Sequence, residues 1–157
     1  MSHYESLSWK ASLPLDLVIR GYAELQKRLF SVPMRDDIEY FKVDEGVDKL
    51  KLLFATESFY NNWKFSYHAY GEILNMAMSV YTPDEYIEWH QYHIRTWDVD
   101  GYNLIDCHYE AHALEYWREH TKRMDFDREK GQSRLKYILN KYDVDYEVVT
   151  VEEKNEY

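Results

Sequence analysis

Aromatic side chains constrain this chain more than any other feature, because a small hydrophobic core cannot enclose so many rings. The 157 residues include 16 tyrosines, 5 tryptophans and 6 phenylalanines, and the formal net charge is −10. Some of the rings must therefore lie at the surface, among carboxylates. Exposed tyrosine and tryptophan are typical of protein-binding surfaces, so the sequence predicts a protein that binds another protein.

The length and composition are those of one globular domain spanning residues 1–157, whose last few residues we expect to be frayed. Cys107 is the only cysteine, so no internal disulfide can form, which favours a reducing compartment. The first residues lack the features of a signal peptide, and no stretch approaches the roughly 20 apolar residues of a membrane span. We therefore expect a cytoplasmic protein, in its own cell or in a host cell, without a membrane segment.

Charge is distributed unevenly along the chain. Residues 82–117 contain eight acidic side chains and one basic side chain, whereas residues 118–141 contain eight basic and four acidic ones. The net charge of −10 argues against direct nucleic-acid binding, because phosphates would be repelled. The acidic segment predicts a protein partner with a basic surface, such as a groove that normally holds nucleic acid.

The first half of the chain predicts one helix followed by strands. Residues 14–30 carry apolar side chains at helical spacing and predict an amphipathic helix. Residues 38–70 favour strands, because β-branched and aromatic side chains are frequent there. The candidate strands are Ile38–Val43, Leu50–Phe54 and Trp63–Tyr67, with Asn61-Asn62 as a hairpin turn. A helix from about residue 57 onward is the alternative.

The second half predicts mainly helices. Apolar spacing and the start signal Thr82-Pro83-Asp84-Glu85 favour helices over residues 71–80, from Thr82 to about Trp97, and from Leu104 to Lys122, with a turn at 98–103. A last helix has Leu135, Ile138, Leu139 and Tyr142 on one side, and residues 145–151 predict a strand. The resulting fold class is α+β, a mainly helical single domain with a small antiparallel sheet; an all-α fold is the alternative.

Four histidines lie on the two predicted helices that flank the turn. If these helices are antiparallel neighbours, His93 faces His108 and His90 faces His112, which could supply imidazole ligands to Zn²⁺ or another divalent ion. Glu110 is expected to point away from the histidine face of a helix. Histidines that simply hydrogen-bond at an interface are the alternative interpretation.

We expect a non-enzymatic binding protein that inhibits a basic, nucleic-acid-handling protein, with no cofactor. In composition alone, the chain is similar in kind to phage anti-defence proteins and nuclease immunity proteins. No motif indicates a reaction, so no catalytic residue is predicted. The alternatives are a histidine-liganded metal enzyme or sensor, and a homo-oligomeric structural protein such as a homodimer. The predicted partner-binding residues are Asp84, Glu85, Glu88, Trp89, Tyr92, Asp98, Asp100, Tyr102, Tyr109 and Tyr116.

Overall fold

The computed structural model of the chain describes residues 38–61 and 72–150, which build one six-stranded antiparallel sheet. The sheet has the strand order β2-β3-β4-β5-β1-β6. Its strands are β1 (Glu39–Val43), β2 (Tyr60–Asn61), β3 (Leu74–Tyr81), β4 (Trp89–Val99), β5 (Tyr102–Ala111) and β6 (Glu147–Thr150). The helices are α1 (Val47–Thr56), α2 (Trp117–Thr121) and α3 (Arg128–Lys141).

The predictions of a mainly helical fold and of an all-α fold are therefore wrong. Three segments predicted as helices form the long central strands β3, β4 and β5. Almost every side chain of β5 is buried, whichever face it lies on. Residues 105–111 do alternate between apolar and polar types, which is a strand signal, but His108 and His112 also fit the spacing of a helix. The Thr82-Pro83-Asp84-Glu85 segment belongs to a loop between β3 and β4, since proline and aspartate favour turns as well as helix starts.

Other local predictions agree with the structure or lie outside it. The strand near residues 38–43, the final helix and the strand after residue 145 are confirmed as β1, α3 and β6. The predicted strand Leu50–Phe54 is wrong, because these residues lie inside α1. The helix over residues 14–30 and the strand over 63–67 lie outside the described residues.

Helices α1 and α3 cover one face of the sheet with apolar side chains. Leu50 and Phe54 of α1 and Leu135 and Leu139 of α3 are fully buried in the core that they share with the strands. Each such side chain contributes about 1.5–3 kcal/mol by leaving water. This face of the sheet therefore contains the main hydrophobic core.

None of the helices in the described part of the chain has the length and apolarity needed to cross a bilayer.

The opposite face is apolar at one end and polar in its middle. Tyr40 and Trp97 pack edge to face at 5.8 Å over Leu104 in a small second core. Along β5, alternate side chains from Leu104 onward share this face. The next ones are Asp106, His108 and Glu110, all of them buried. Ionisable groups are seldom buried in this number without a specific set of partners.

A buried carboxylate connects α1 to α3. Glu57 accepts hydrogen bonds from Lys141 and from the Tyr142 hydroxyl at 2.8 Å, and it pairs with Arg134 at 3.1 Å. The Lys141 hydrogen bond lowers the pKa of Glu57 below 4.5 against the opposing effect of burial, helped by Tyr142 and the charge of Arg134.

A carboxyl whose pKa is depressed by folding stabilises the native state above its unfolded pKa, and that stability is lost as pH falls through the folded pKa. We expect the free energy of unfolding to decrease below about pH 4.5. A Glu57→Gln variant lacks this carboxylate. Its free energy of unfolding should therefore be lower than that of the wild type at pH 7 and should fall less as the pH decreases. Urea unfolding of both proteins across this pH range measures the difference, and parallel acid limbs would contradict it.

Candidate metal centre

The β4–β5 hairpin places two of the predicted histidines opposite each other. Its two-residue turn, Asp100-Gly101, has positive φ angles of 51° and 91°, as a tight hairpin turn requires. This turn fixes the register, so that His93 on β4 pairs with His108 on β5. Their rings lie 4.9 Å apart in a T-shaped arrangement. The expected adjacency of these two side chains is present, although on strands rather than helices.

Glu110 completes this cluster from β5. It lies two residues after His108, and alternate residues of a strand share a face. Its Oε1 atom lies 3.1 Å from Nδ1 of His93 and 3.4 Å from Nε2 of His108. Gln91 donates a hydrogen bond of 2.8 Å to the same oxygen. The expectation that Glu110 points away from the histidines was therefore wrong, because it assumed a helix.

The far side of each ring also faces an oxygen. Nε2 of His93 lies 2.8 Å from Oδ1 of Asn75, on β3. Nδ1 of His108 lies 3.4 Å from Oδ2 of Asp106. The other carboxylate oxygen of Asp106, Oδ1, pairs with Arg128 at 3.1 Å. Metal-ligating histidines in proteins are commonly oriented in the same way, by a second nitrogen that donates to a carboxylate, carbonyl or water oxygen.

Aromatic and basic side chains of α2 and of the segment that follows it cover one side of the cluster. The Phe126 ring lies 5.0 Å from His108, and the Arg123 guanidinium lies 4.0 Å above Phe126. His120, in α2, places Nδ1 3.4 Å from the second Glu110 oxygen. The side chains of His93, His108 and Glu110 are only 13%, 8% and 8% exposed. The centre is consequently shielded from water, with a third imidazole at its edge.

Burial and neighbouring charges shift the pKa values of His93 and His108 in opposite directions. Burial lowers the pKa of His93 to about 4, despite its hydrogen bond to Glu110 and the charge of that carboxylate. Burial opposes the charged form of His108 too, but Glu110 and Asp106 outweigh it and raise the pKa of His108 to about 9. Burial would also raise the pKa of Glu110, yet His108 and His93 hold it well below its usual range. Glu110 is thus an anion at neutral pH.

The other two predicted ligands lie elsewhere. His90 is three residues from His93, and an odd separation on a strand puts the two side chains on opposite faces. It stacks on Tyr109 at 4.8 Å and contacts Thr82 and Asp125. His112 contacts Ser79 at 3.0 Å and accepts hydrogen bonds from backbone amides just beyond it. Neither belongs to the cluster that the structure brings together, which consists of His93, His108 and Glu110.

The ten predicted partner-binding residues are not brought together on one surface. Five lie at the end of the sheet that carries the β3–β4 loop, and three lie at the opposite end, around the β4–β5 turn. The remaining two pair with each other on the face that the helices cover. These groups are, in order, Asp84, Glu85, Glu88, Trp89 and Tyr116; Asp98, Asp100 and Tyr102; and Tyr92 and Tyr109. Tyr109 is 5% exposed, so it offers little surface to a partner.

Sequence reasoning missed the residues that orient the ligands. Asp106, His108 and Glu110 alternate along β5, and that spacing alone predicts three polar side chains on one face of a strand. Asn75 and His120 carry no such signal, because they come from other elements and reach the cluster only through the sheet and α2.

Comparisons with known proteins add no identification. The chain matches no protein-family model, and neither curated proteins nor solved structures match it.

Proposed function

We propose that this protein binds a divalent transition-metal ion through His93, His108 and Glu110. The observation that carries the proposal is the shortage of protons around the two rings. All four ring nitrogens face an oxygen acceptor. Even when His108 carries both of its protons and His93 is neutral, the two rings have only three N–H groups for these four contacts. A divalent cation among the inner nitrogens and Glu110 would displace the inner proton of His108, and would leave the outer N–H groups for Asn75 and Asp106.

The distances suit such an ion. Ligand atoms about 2.1 Å from a tetrahedral ion are about 3.4 Å from one another. Glu110 Oε1 lies 3.1 Å from His93 Nδ1 and 3.4 Å from His108 Nε2, and the three donor atoms fall within 4.8 Å of each other. The two inner nitrogens, which lie within 4.8 Å of each other, would approach further on binding.

Two imidazoles and one carboxylate favour zinc or another late first-row ion over calcium or magnesium, which prefer oxygen ligands. His120 is the candidate for a fourth ligand, since its Nδ1 atom lies 3.4 Å from Glu110 Oε2 and 3.0 Å from the Ala111 carbonyl oxygen. Four protein ligands in a buried setting are typical of structural or sensing sites, whereas catalytic sites keep an open position. We therefore favour a metal-stabilised or metal-sensing protein of the cytoplasm, where the lone buried Cys107 stays reduced.

Cobalt substitution tests the proposal. Co²⁺ added to chelator-treated protein should produce the intense visible absorption of a four-coordinate ion, saturating at one equivalent per chain. A His112→Ala variant is the matched control, because His112 lies outside the cluster and should leave the titration unchanged. A spectrum that stays that of hydrated Co²⁺ throughout the titration would contradict the proposal.

A further inference from the structure

The loop end of the β3–β4 hairpin exposes large apolar side chains. Tyr81 and Trp89 form its last cross-strand pair, with ring centroids 4.9 Å apart. They remain 51% and 39% exposed, and Tyr86 in the connecting loop is 82% exposed. Monomeric soluble proteins rarely leave contiguous apolar surface uncovered, and such surfaces mark interaction sites.

The segment after β5 adds to the same end of the sheet. The His112 amide donates a 3.0 Å hydrogen bond to the Trp89 carbonyl, and the Glu88 amide donates to the Tyr116 hydroxyl at 3.3 Å. These bonds hold residues 112–117 against the start of β4. Leu114 and Trp117 of this segment are 71% and 61% exposed. We call Tyr81, Tyr86, Trp89, Leu114 and Trp117 the aromatic patch.

The surroundings of the aromatic patch are acidic. Residues 81–89 and 112–119 contain five carboxylates and one guanidinium, a net charge of −4. That guanidinium, of Arg118, lies 5.3 Å from the centre of the Trp117 ring. The carboxylates are Asp84, Glu85, Glu88, Glu115 and Glu119. Aromatic anchors with a charged rim are the usual anatomy of a protein-binding hot spot.

We infer that the aromatic patch docks a protein segment that combines apolar side chains with arginine or lysine. Complementary charge selects this occupant, because a basic rim on the partner would meet the five carboxylates. The inference is independent of the metal centre, since none of the three proposed ligands belongs to the patch.

A second copy of the chain fits the patch less well. A symmetric contact would place the same carboxylates against each other. Three of the eight basic side chains in residues 118–141 are already in ion pairs: Arg128 pairs with Asp106, and both Arg134 and Lys141 pair with Glu57. Cations already neutralised within the chain gain little from a second set of carboxylates.

Three synthetic peptides of equal length provide the test: one of arginine and leucine, one of glutamate and leucine, and one of arginine and serine. Fluorescence polarisation should show saturable binding of the first, with the other two at least about 10-fold weaker. A Tyr86→Ser/Trp117→Ser variant should weaken binding of the first peptide by at least about 10-fold. A Glu85→Lys/Glu115→Lys variant should weaken it too. Tyr137→Ser is the matched control, because Tyr137 is 53% exposed on α3.

Three outcomes would overturn the inference. Equal binding of the glutamate–leucine peptide would show that the patch has no charge preference. Unchanged binding in the Tyr86→Ser/Trp117→Ser variant, with a native circular dichroism spectrum, would place the contact elsewhere. Sedimentation that reveals a dimer dissociated by the same two substitutions would assign the patch to self-association.

Discussion

Adding a single methyl group at Gly131 should destabilise the protein by about 3 kcal/mol or more. A Cβ atom at this position of α3 would lie 2.3 Å from Cα of His108 and 2.4 Å from the Cys107 carbonyl oxygen. Both are backbone atoms of the central strand β5, so no side-chain rotation relieves the overlap. The helix must move away, although alanine by itself would favour a helix by about 1 kcal/mol over glycine.

The glycine also matters for the metal centre, because α3 rests directly on the backbone of a proposed ligand. Urea unfolding of Gly131→Ala in a chelator isolates the effect on the fold from any effect on metal binding. Gly46→Ala is the matched control: a Cβ there meets no atom within 4 Å, and we expect a change within about 0.5 kcal/mol. Equal stability of Gly131→Ala and the wild type would show that α3 does not approach β5 so closely.

Removing one proposed ligand should reduce zinc affinity by more than the 10- to 100-fold typical of changes to the groups that orient ligands. Glu110→Gln keeps the size of the side chain but removes the anionic donor that faces both imidazoles. His93→Ala removes a nitrogen donor. We expect a loss of about 100-fold or more for each.

A graded series separates metal binding from general destabilisation. Asp106→Asn keeps all three ligands but changes the acceptor that orients His108 and removes the charge that pairs with Arg128, so zinc affinity should fall by about 10- to 100-fold. His112→Ala should cost nothing. Competition with a chromophoric chelator measures the affinities, and unfolding in excess chelator shows whether each variant is folded. Wild-type affinity in Glu110→Gln and His93→Ala would remove these residues from the site.

The adjacency of His93 and His108 could be predicted from the sequence, because any two antiparallel segments joined by a short turn bring residues equidistant from the turn together. His93 and His108 are nearly equidistant from the Asp100-Gly101 turn, so two antiparallel helices and two antiparallel strands both bring them together. The prediction that His90 joins the same site depended on the helical period of about 3.6 residues. His90 would share a helical stripe with His93, but on a strand it turns to the opposite face, where it packs against Tyr109.

The same change of period brings Glu110 into the site. On a helix, two residues separate side chains by about 200°; on a strand, they align. The strand period is present in residues 105–111, which alternate between apolar and polar types, but His108 and His112 fit a helical spacing as well, so the sequence was compatible with both periods. Isolated elements with clear local signals, such as α3 with its Asp127 cap, could be predicted.

The proposed binding surface was less predictable still. Charge and aromatic content drew attention to residues 82–117, but the sheet distributes them between two ends and two faces. Glu88 and Tyr116 meet at one end because β4 begins where β5 finishes. Tyr102 lies at the other end. Composition identifies the residue types of a surface, whereas strand register decides which of them are neighbours.

Calorimetric titration of the chelator-treated wild-type protein with Zn²⁺ tests the central claim most directly. We expect a single class of site that saturates at one zinc ion per chain, and no such site in a folded His93→Ala/His108→Ala variant. Absence of saturable heat in the wild type, or the same one-to-one isotherm in the double variant, would contradict it.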